Sequence, residues 1–145
     1  MQLVGVDVEL ALAHSMSRKK KHAAKKGNET RKSNIEKIVE EVIERLDLPY
    51  EDQTAIGKYT VDFLVDGKYI IECYGDFWHC NPIKYSGSFY NRGVKKTAQQ
   101  IWDRDKKRKD ELEQLGYKFL CLWEMEINAT TKLVSSKIKK FINIK

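Results

Sequence analysis

Residues 58–74 read KYTVDFLVDGKYIIECY, two β-rich runs on either side of Asp66-Gly67. Aromatic and β-branched residues suit strands, and an Asp-Gly pair between two such runs is a strong hairpin signal. Side chains alternate across a strand. Phe63, Val65, Tyr69, Ile71 and Cys73 are therefore expected on a core face, with Thr60, Asp62, Leu64, Ile70, Glu72 and Tyr74 on the other. Two acids in otherwise apolar strands, Asp62 and Glu72, are costly to bury unless they are paired or bound to a cation. Register decides whether they meet. A two-residue loop pairs 65 with 68 and sends the acids to opposite faces. A three-residue loop 65–67, with Gly67 in a bulge, pairs 64 with 68 and sets Asp62 diagonal to Glu72 on one face. The expectation is the bulged register, or an equivalent bulge elsewhere, with the two carboxylates within reach of one ion. Hard oxygen ligands and water suit Mg²⁺. The alternative is that both acids form structural ion pairs with the chain's many lysines.

The hairpin runs directly into Gly75-Asp76-Phe77-Trp78-His79-Cys80-Asn81-Pro82. Loops at strand ends are where sites are commonly built. His79 has the titration range of a general base towards water. Phe77 and Trp78 could stack on or wedge between bases, or simply close the core.

Outward from the hairpin, Ser33-Asn34-Ile35-Glu36 is a capping-box pattern that predicts a helix start. Ile35, Ile38, Val39, Val42, Ile43 and Leu46 give that helix one apolar stripe, and Leu48-Pro49 is expected to end it. A second helix is predicted from Thr97 to Leu115, with Gly116 as its C-terminal glycine. Its sheet-facing stripe is Ala98, Ile101, Asp105, Arg108, Leu112 and Leu115. Asp105 and Arg108 thus sit mid-stripe, where Asp105 could orient a histidine, while Asp103 points away. Tyr117–Trp123 is a third strand, and Thr130 or Thr131 caps a last amphipathic helix. The predicted order is α–β–β–α–β–α, an α/β fold with a small mixed central sheet flanked by helices.

The chain has 145 residues and a formal net charge of +6, which suits one domain and a polyanionic partner, most often nucleic acid. Residues 1–32 carry eight Lys/Arg against three Asp/Glu, including Lys19, Lys20 and Lys21, and read as a basic arm or linker. Residues 33–145 are then the folded domain. Arg104, Lys106, Lys107 and Arg108 form a second basic run. Three cysteines without a CxxC pair argue against a disulfide framework and for a reducing, cytoplasmic setting. Residues 3–13 carry Asp7 and Glu9 ahead of the basic run, which is not the order of a signal peptide, and no apolar run approaches a membrane span.

The series VDF, IIECYGDFWHCNP and IWDRDKKRKDELEQLGYKFLCLWE, over about residues 33–127, resembles the very-short-patch-repair endonucleases and the related phage-type EDxHD homing endonucleases of the PD-(D/E)XK superfamily. The resemblance implies Mg²⁺-dependent hydrolysis of DNA phosphodiesters, with Mn²⁺ as a substitute. Asp62 would match the metal-binding aspartate, His79 the water-activating histidine, Asp105 its support, and Glu36 the acid of the first helix. Cys73 would match the residue whose carbonyl helps hold the metal, and Phe77 and Trp78 the aromatics that enter DNA. Tyr74 stands where the repair enzymes have a second histidine. Asp76 and Met125 stand where those enzymes have zinc cysteines, so no structural zinc is expected and the homing or phage branch is favoured.

The function expected from the sequence is a metal-dependent DNA endonuclease of a bacterial or phage-infected cell, gripping DNA through Lys19–Lys21 and residues 104–108. One such site cuts one strand, so a double-strand break calls for a homodimer or two sequential events. A junction- or mismatch-selective nuclease and a non-catalytic basic DNA-binding module are the alternatives.

Overall fold

The structure, a computed structural model, describes residues 32–145. The arm's Lys19, Lys20 and Lys21 lie outside the described residues. Lys32, placed at the end of that arm, belongs to the folded body: its ammonium lies 2.9 Å from Glu40 and 2.5 Å from Asp52.

Helix α1 (Asn34–Arg45) starts at the capping box read from the sequence: the Ser33 side chain accepts the Glu36 N–H, and the Glu36 carboxylate accepts the Ser33 N–H. It stops earlier than Pro49 requires. Leu46 is the C-cap, and Asp47 turns the chain at φ 55°. Strands β1 (Tyr50–Ile56), β2 (Tyr59–Val65) and β3 (Tyr69–Tyr74) follow, then a small excursion holding β4 (Tyr90–Asn91) and β5 (Lys96–Thr97). Helix α2 (Ala98–Gln114) returns the chain to β6 (Lys118–Trp123), and α3 (Glu124–Ala129) and α4 (Thr131–Ile142) close the domain. Thr97 and Thr130 are the N-caps of α2 and α4.

The main sheet has the order β1-β2-β3-β6, antiparallel except for the parallel β3/β6 pair. The small mixed sheet flanked by helices is the fold class read from the sequence, but the element order needs correction. Strand β1, the β4–β5 ribbon and α3 are additions. Strand β1 escapes a hydropathy reading because one of its buried positions is Asp52, placed between buried Tyr50 and Ile56. The ammonium of Lys32 compensates that carboxylate, which a periodicity argument cannot anticipate.

Helices α1, α3 and α4 cover one face of the sheet. Val39, Val42 and Ile43 of α1 and Val134 and Ile138 of α4 pack there on Phe63, Val65, Ile71 and Leu122. Helix α2 covers the other face, where Leu112 packs with Ile56, Leu64, Ile70 and Phe119. The alternation read from the hairpin thus assigns the two faces. The sheet-facing stripe read for α2 holds at Leu112; Ala98 and Ile101 are buried instead in a separate cluster with Cys80, and Leu115, the C-cap, is 61% exposed. Gly116, at φ 101°, ends the helix.

Candidate active site

The site grows out of the hairpin register. Val65 pairs with Tyr69, Leu64 with Ile70 and Phe63 with Ile71. Asp66 (φ 52°) and Gly67 (φ 67°) make the turn, and the Lys68 N–H closes it on the Val65 carbonyl at 3.1 Å. Lys68 is the extra residue that shifts Tyr69 opposite Val65. This is neither loop weighed from the sequence, yet it is a bulge that meets the expectation of both acids on one face. Continued by one pair, it sets Asp62 opposite Glu72.

The two acids change the ladder where they meet. Beyond Phe63 and Ile71, carboxylates take over the bonding: the Asp62 N–H donates to Glu72 Oε2 (3.0 Å), and the Cys73 N–H donates to Asp62 Oδ2 (2.8 Å). Strands β2 and β3 separate there, β2 staying with β1 and β3 with β6. The resulting fork opens into a cleft of ≈ 440 Å³, walled by Asp62, Glu72, Cys73, Tyr74, His79 and Asp105, with Arg104, Lys107 and Arg108 contributed by α2.

Glu72 enters the cleft already engaged. Its Oε1 accepts Arg108 Nε at 2.9 Å, so both carboxylate oxygens have protein donors. Arg108 also donates to the Thr60 carbonyl (2.8 Å) and lies 4.9 Å over the Tyr59 ring. The two roles expected from the sequence, Glu72 as metal ligand and Arg108 as DNA contact, are thus tied up in one ion pair. It is the structural pairing weighed as the alternative for these acids, with an arginine in place of a lysine.

Asp62 is different. Burial raises its carboxyl pKa to about 7 from an ordinary 3.8, and the negative charges of Glu72 and Glu36 push the same way. The Cys73 N–H and the more distant Arg108 only partly offset this. Cys73 keeps its side chain against the α1 core, leaving its main chain to the fork. Glu36 sits outside the walls of the cleft. It serves the capping box and accepts Gln53 Nε2 at 3.1 Å, while its charge still reaches Asp62.

Opposite the fork, His79 Nδ1 lies 2.8 Å from Asp105 Oδ2. The loop that carries His79 is folded on itself: the His79 N–H bonds the Gly75 carbonyl (3.0 Å), and the Asn81 N–H bonds the Asp76 carbonyl (2.8 Å). Arg104 grips the other oxygen of Asp105 at 3.1 Å. Tyr74 stacks flat on the imidazole, centroids 4.0 Å apart and planes 6° from parallel, with Trp123 at its edge. Tyr74 was not singled out as a site residue, although it shares the strand face of Asp62 and Glu72. Phe77 and Trp78 remain 39% and 56% exposed beside the histidine. Lys106, paired with Asp110, does not border the cleft.

The positions where the resemblance implied zinc cysteines, Asp76 and Met125, are neighbours. Asp76 Oδ1 accepts the Met125 N–H (3.4 Å) and the Asn81 amide (3.0 Å), and Oδ2 pairs with Lys84 at 2.9 Å. Among the described residues no three His, Cys, Asp or Glu side chains converge as a ready metal cluster.

The mixed sheet thus carries a forked acidic hairpin, crossed by a helix whose aspartate holds a histidine from the adjoining loop. Among solved structures the chain is similar to one described as "Homing Endonuclease I-Bth0305I Catalytic Domain": the TM-score is 0.53 at 20% identity, covering 77% of this chain and 97% of that one. No protein-family model matches the chain, and no curated protein does. At that identity the likeness establishes a shared fold.

Proposed function

We propose that this chain is a DNA endonuclease that hydrolyses phosphodiesters with the help of a divalent cation. The observation that carries the reading is the 2.8 Å contact of His79 with Asp105 inside the cleft that also holds Asp62. Asp105 accepts the Nδ1 proton, which leaves the Nε2 lone pair of His79 free to take a proton from water. The stacked ring of Tyr74 holds the plane of that imidazole. Arg104 and Lys107 bring positive charge to the mouth of the cleft, where a phosphate must approach.

The donor set fits a hard cation. Asp62 is a half-buried carboxylate among other acids, and the protonation its surroundings favour marks a site short of positive charge. Asp62 and the main-chain carbonyl of Cys73 would hold the ion, with water filling the remaining positions as Mg²⁺ prefers. Bound there, the cation would supply charge to the scissile phosphate and the leaving oxygen. Glu72 then supports the fork by holding the Asp62 amide and Arg108.

The finer reading is a homing-type or phage-type enzyme, supported by the neighbour's description and by Asp76 and Met125 standing where the repair enzymes have cysteines. Two copies acting on opposite strands would make a double-strand break.

The test is nicking of supercoiled plasmid by the full chain, with Mg²⁺ and with EDTA. Relaxed and linear DNA should accumulate only with the cation. Binding without any nicking, in Mg²⁺ or Mn²⁺, overturns the enzyme reading and leaves a DNA-binding module. Adding four-way junctions and mismatched duplexes as substrates separates structure-selective cutting from cutting of ordinary duplex.

A further inference from the structure

We propose that the β4–β5 ribbon, through Arg92, Lys95 and Lys96 with the exposed rings of Trp78 and Tyr90, grips the DNA backbone beside the cleft. The inference rests on the reading of this chain as a DNA enzyme and adds to Trp78, already expected at DNA, four residues that the sequence reading did not pick out: Tyr90, Arg92, Lys95 and Lys96.

The charge pattern comes first. Residues 77–102 contain no Asp or Glu, while Arg92, Lys95 and Lys96 fall within eight positions of Phe89. All three cations are exposed, and none makes an ion pair among the described residues. The basic run of α2 is different. Lys106 pairs with Asp110, Lys107 with Glu111, Lys109 with Glu113, Arg104 with Asp105 and Arg108 with Glu72. A phosphate that recruits one of these must compete with a carboxylate already in place. On the ribbon it meets a cation facing only water and counterions, whose release favours binding.

The ribbon is also well anchored and well placed. Asn91 is fully buried. Its side chain donates to the Phe77 carbonyl at 2.6 Å and accepts the Val94 N–H at 3.0 Å, pinning the ribbon to the loop that carries His79. A small core of Cys80, Ala98 and Ile101, with Tyr85, Phe89 and Trp102 around it, supports it from beneath. Gly93 lies against the aromatics so closely that a Cβ there would sit 2.7 Å from the Trp78 ring and 3.1 Å from Phe77. The cations therefore stand one side chain away from Trp78, the immediate neighbour of His79. A preformed surface of this kind loses little conformational entropy on binding. Exposed Trp78 (56%) and Tyr90 (53%) add flat apolar rings to it, suited to sugar or base faces.

The test is duplex-oligonucleotide binding by fluorescence anisotropy across a salt series, in Ca²⁺ so that no cutting intervenes. The variant carries R92Q, K95Q and K96Q. A control with the same loss of charge carries K132Q, K140Q and K145Q, at the α4 end of the chain. Each lost phosphate contact lowers the slope of log affinity against log salt by ~0.9. The ribbon variant should lose about two to three units of slope and at least tenfold in affinity at low salt, while the control changes little. Equal losses in both variants, or an unchanged slope in the ribbon variant, overturn the inference and leave the endonuclease reading standing. Failure of the unaltered chain to bind DNA at any salt overturns both. Circular dichroism and melting temperature should be unchanged in both variants, since every substituted side chain is exposed.

Discussion

On one face of the sheet Phe63, Val65 and Ile71 disappear beneath α1 and α4. On the other, the residues next to them in the same strands, Asp62, Leu64, Ile70 and Glu72, meet α2. The first face is apolar except at its β1 edge, where buried Asp52 pairs with Lys32. The second is apolar only where Leu112 packs on Leu64, Ile70 and Phe119; at its other end Asp105 and Arg108 of the same helix meet His79 and Glu72. Proteins concentrate unfavourable burial where chemistry needs it. The comparison teaches that one face of this sheet supplies stability, and that half of the other trades stability for a site.

The sharpest test of that division is Asp62→Asn. Cleavage should fall by at least about 10³-fold, if Asp62 holds the cation that stabilises the transition-state charge. Stability should move the opposite way. With its folded pKa raised to about 7 from 3.8, Asp62 keeps its proton in the native state over a range where the unfolded chain has lost it. The unfolded chain then binds fewer protons, so stability declines as pH rises from about 4 to 7 and levels off above. Asparagine cannot ionise, so the variant should melt higher than the parent at pH 8 and equally at pH 4. A variant that melts lower at pH 8 would break the comparison.

The matching change on the apolar face is Phe63→Ala. Removing a fully buried ring should cost about 3–5 kcal/mol in denaturant titration, with the cleavage rate per folded molecule unchanged. Arg108→Met should cost less, about 1–3 kcal/mol, because it leaves the buried Glu72 carboxylate without its cation; adding Glu72→Gln should recover part of that loss. A smaller effect is expected at Tyr74. Tyr74→Phe keeps the stack on His79 and should keep the cleavage rate, whereas Tyr74→Leu should lower kcat several-fold with KM unchanged.

The hairpin and its two faces were legible because β alternation needs only local information. Its register was not, because it depends on Asp66 and Gly67 both adopting positive φ and leaving Lys68 over. Strand β1 was hidden by Asp52, whose compensation by Lys32 comes from twenty residues away. The His79–Asp105 pair was legible in outline, since the helical stripe put Asp105 on the sheet side. The same stripe placed Arg108 there too, but no spacing rule connects it to Glu72. The β4–β5 excursion has no period to read, and its order rests on buried Asn91 and on the ring contacts at Gly93.

Single-turnover cleavage of plasmid DNA by His79→Ala, at saturating Mg²⁺ and beside the parent chain, tests the central claim most directly. Loss of a general base predicts a rate lower by about 10²–10⁴-fold, with DNA affinity and melting temperature close to the parent's. Cleavage at the parental rate by a folded, DNA-binding His79→Ala chain would contradict the account.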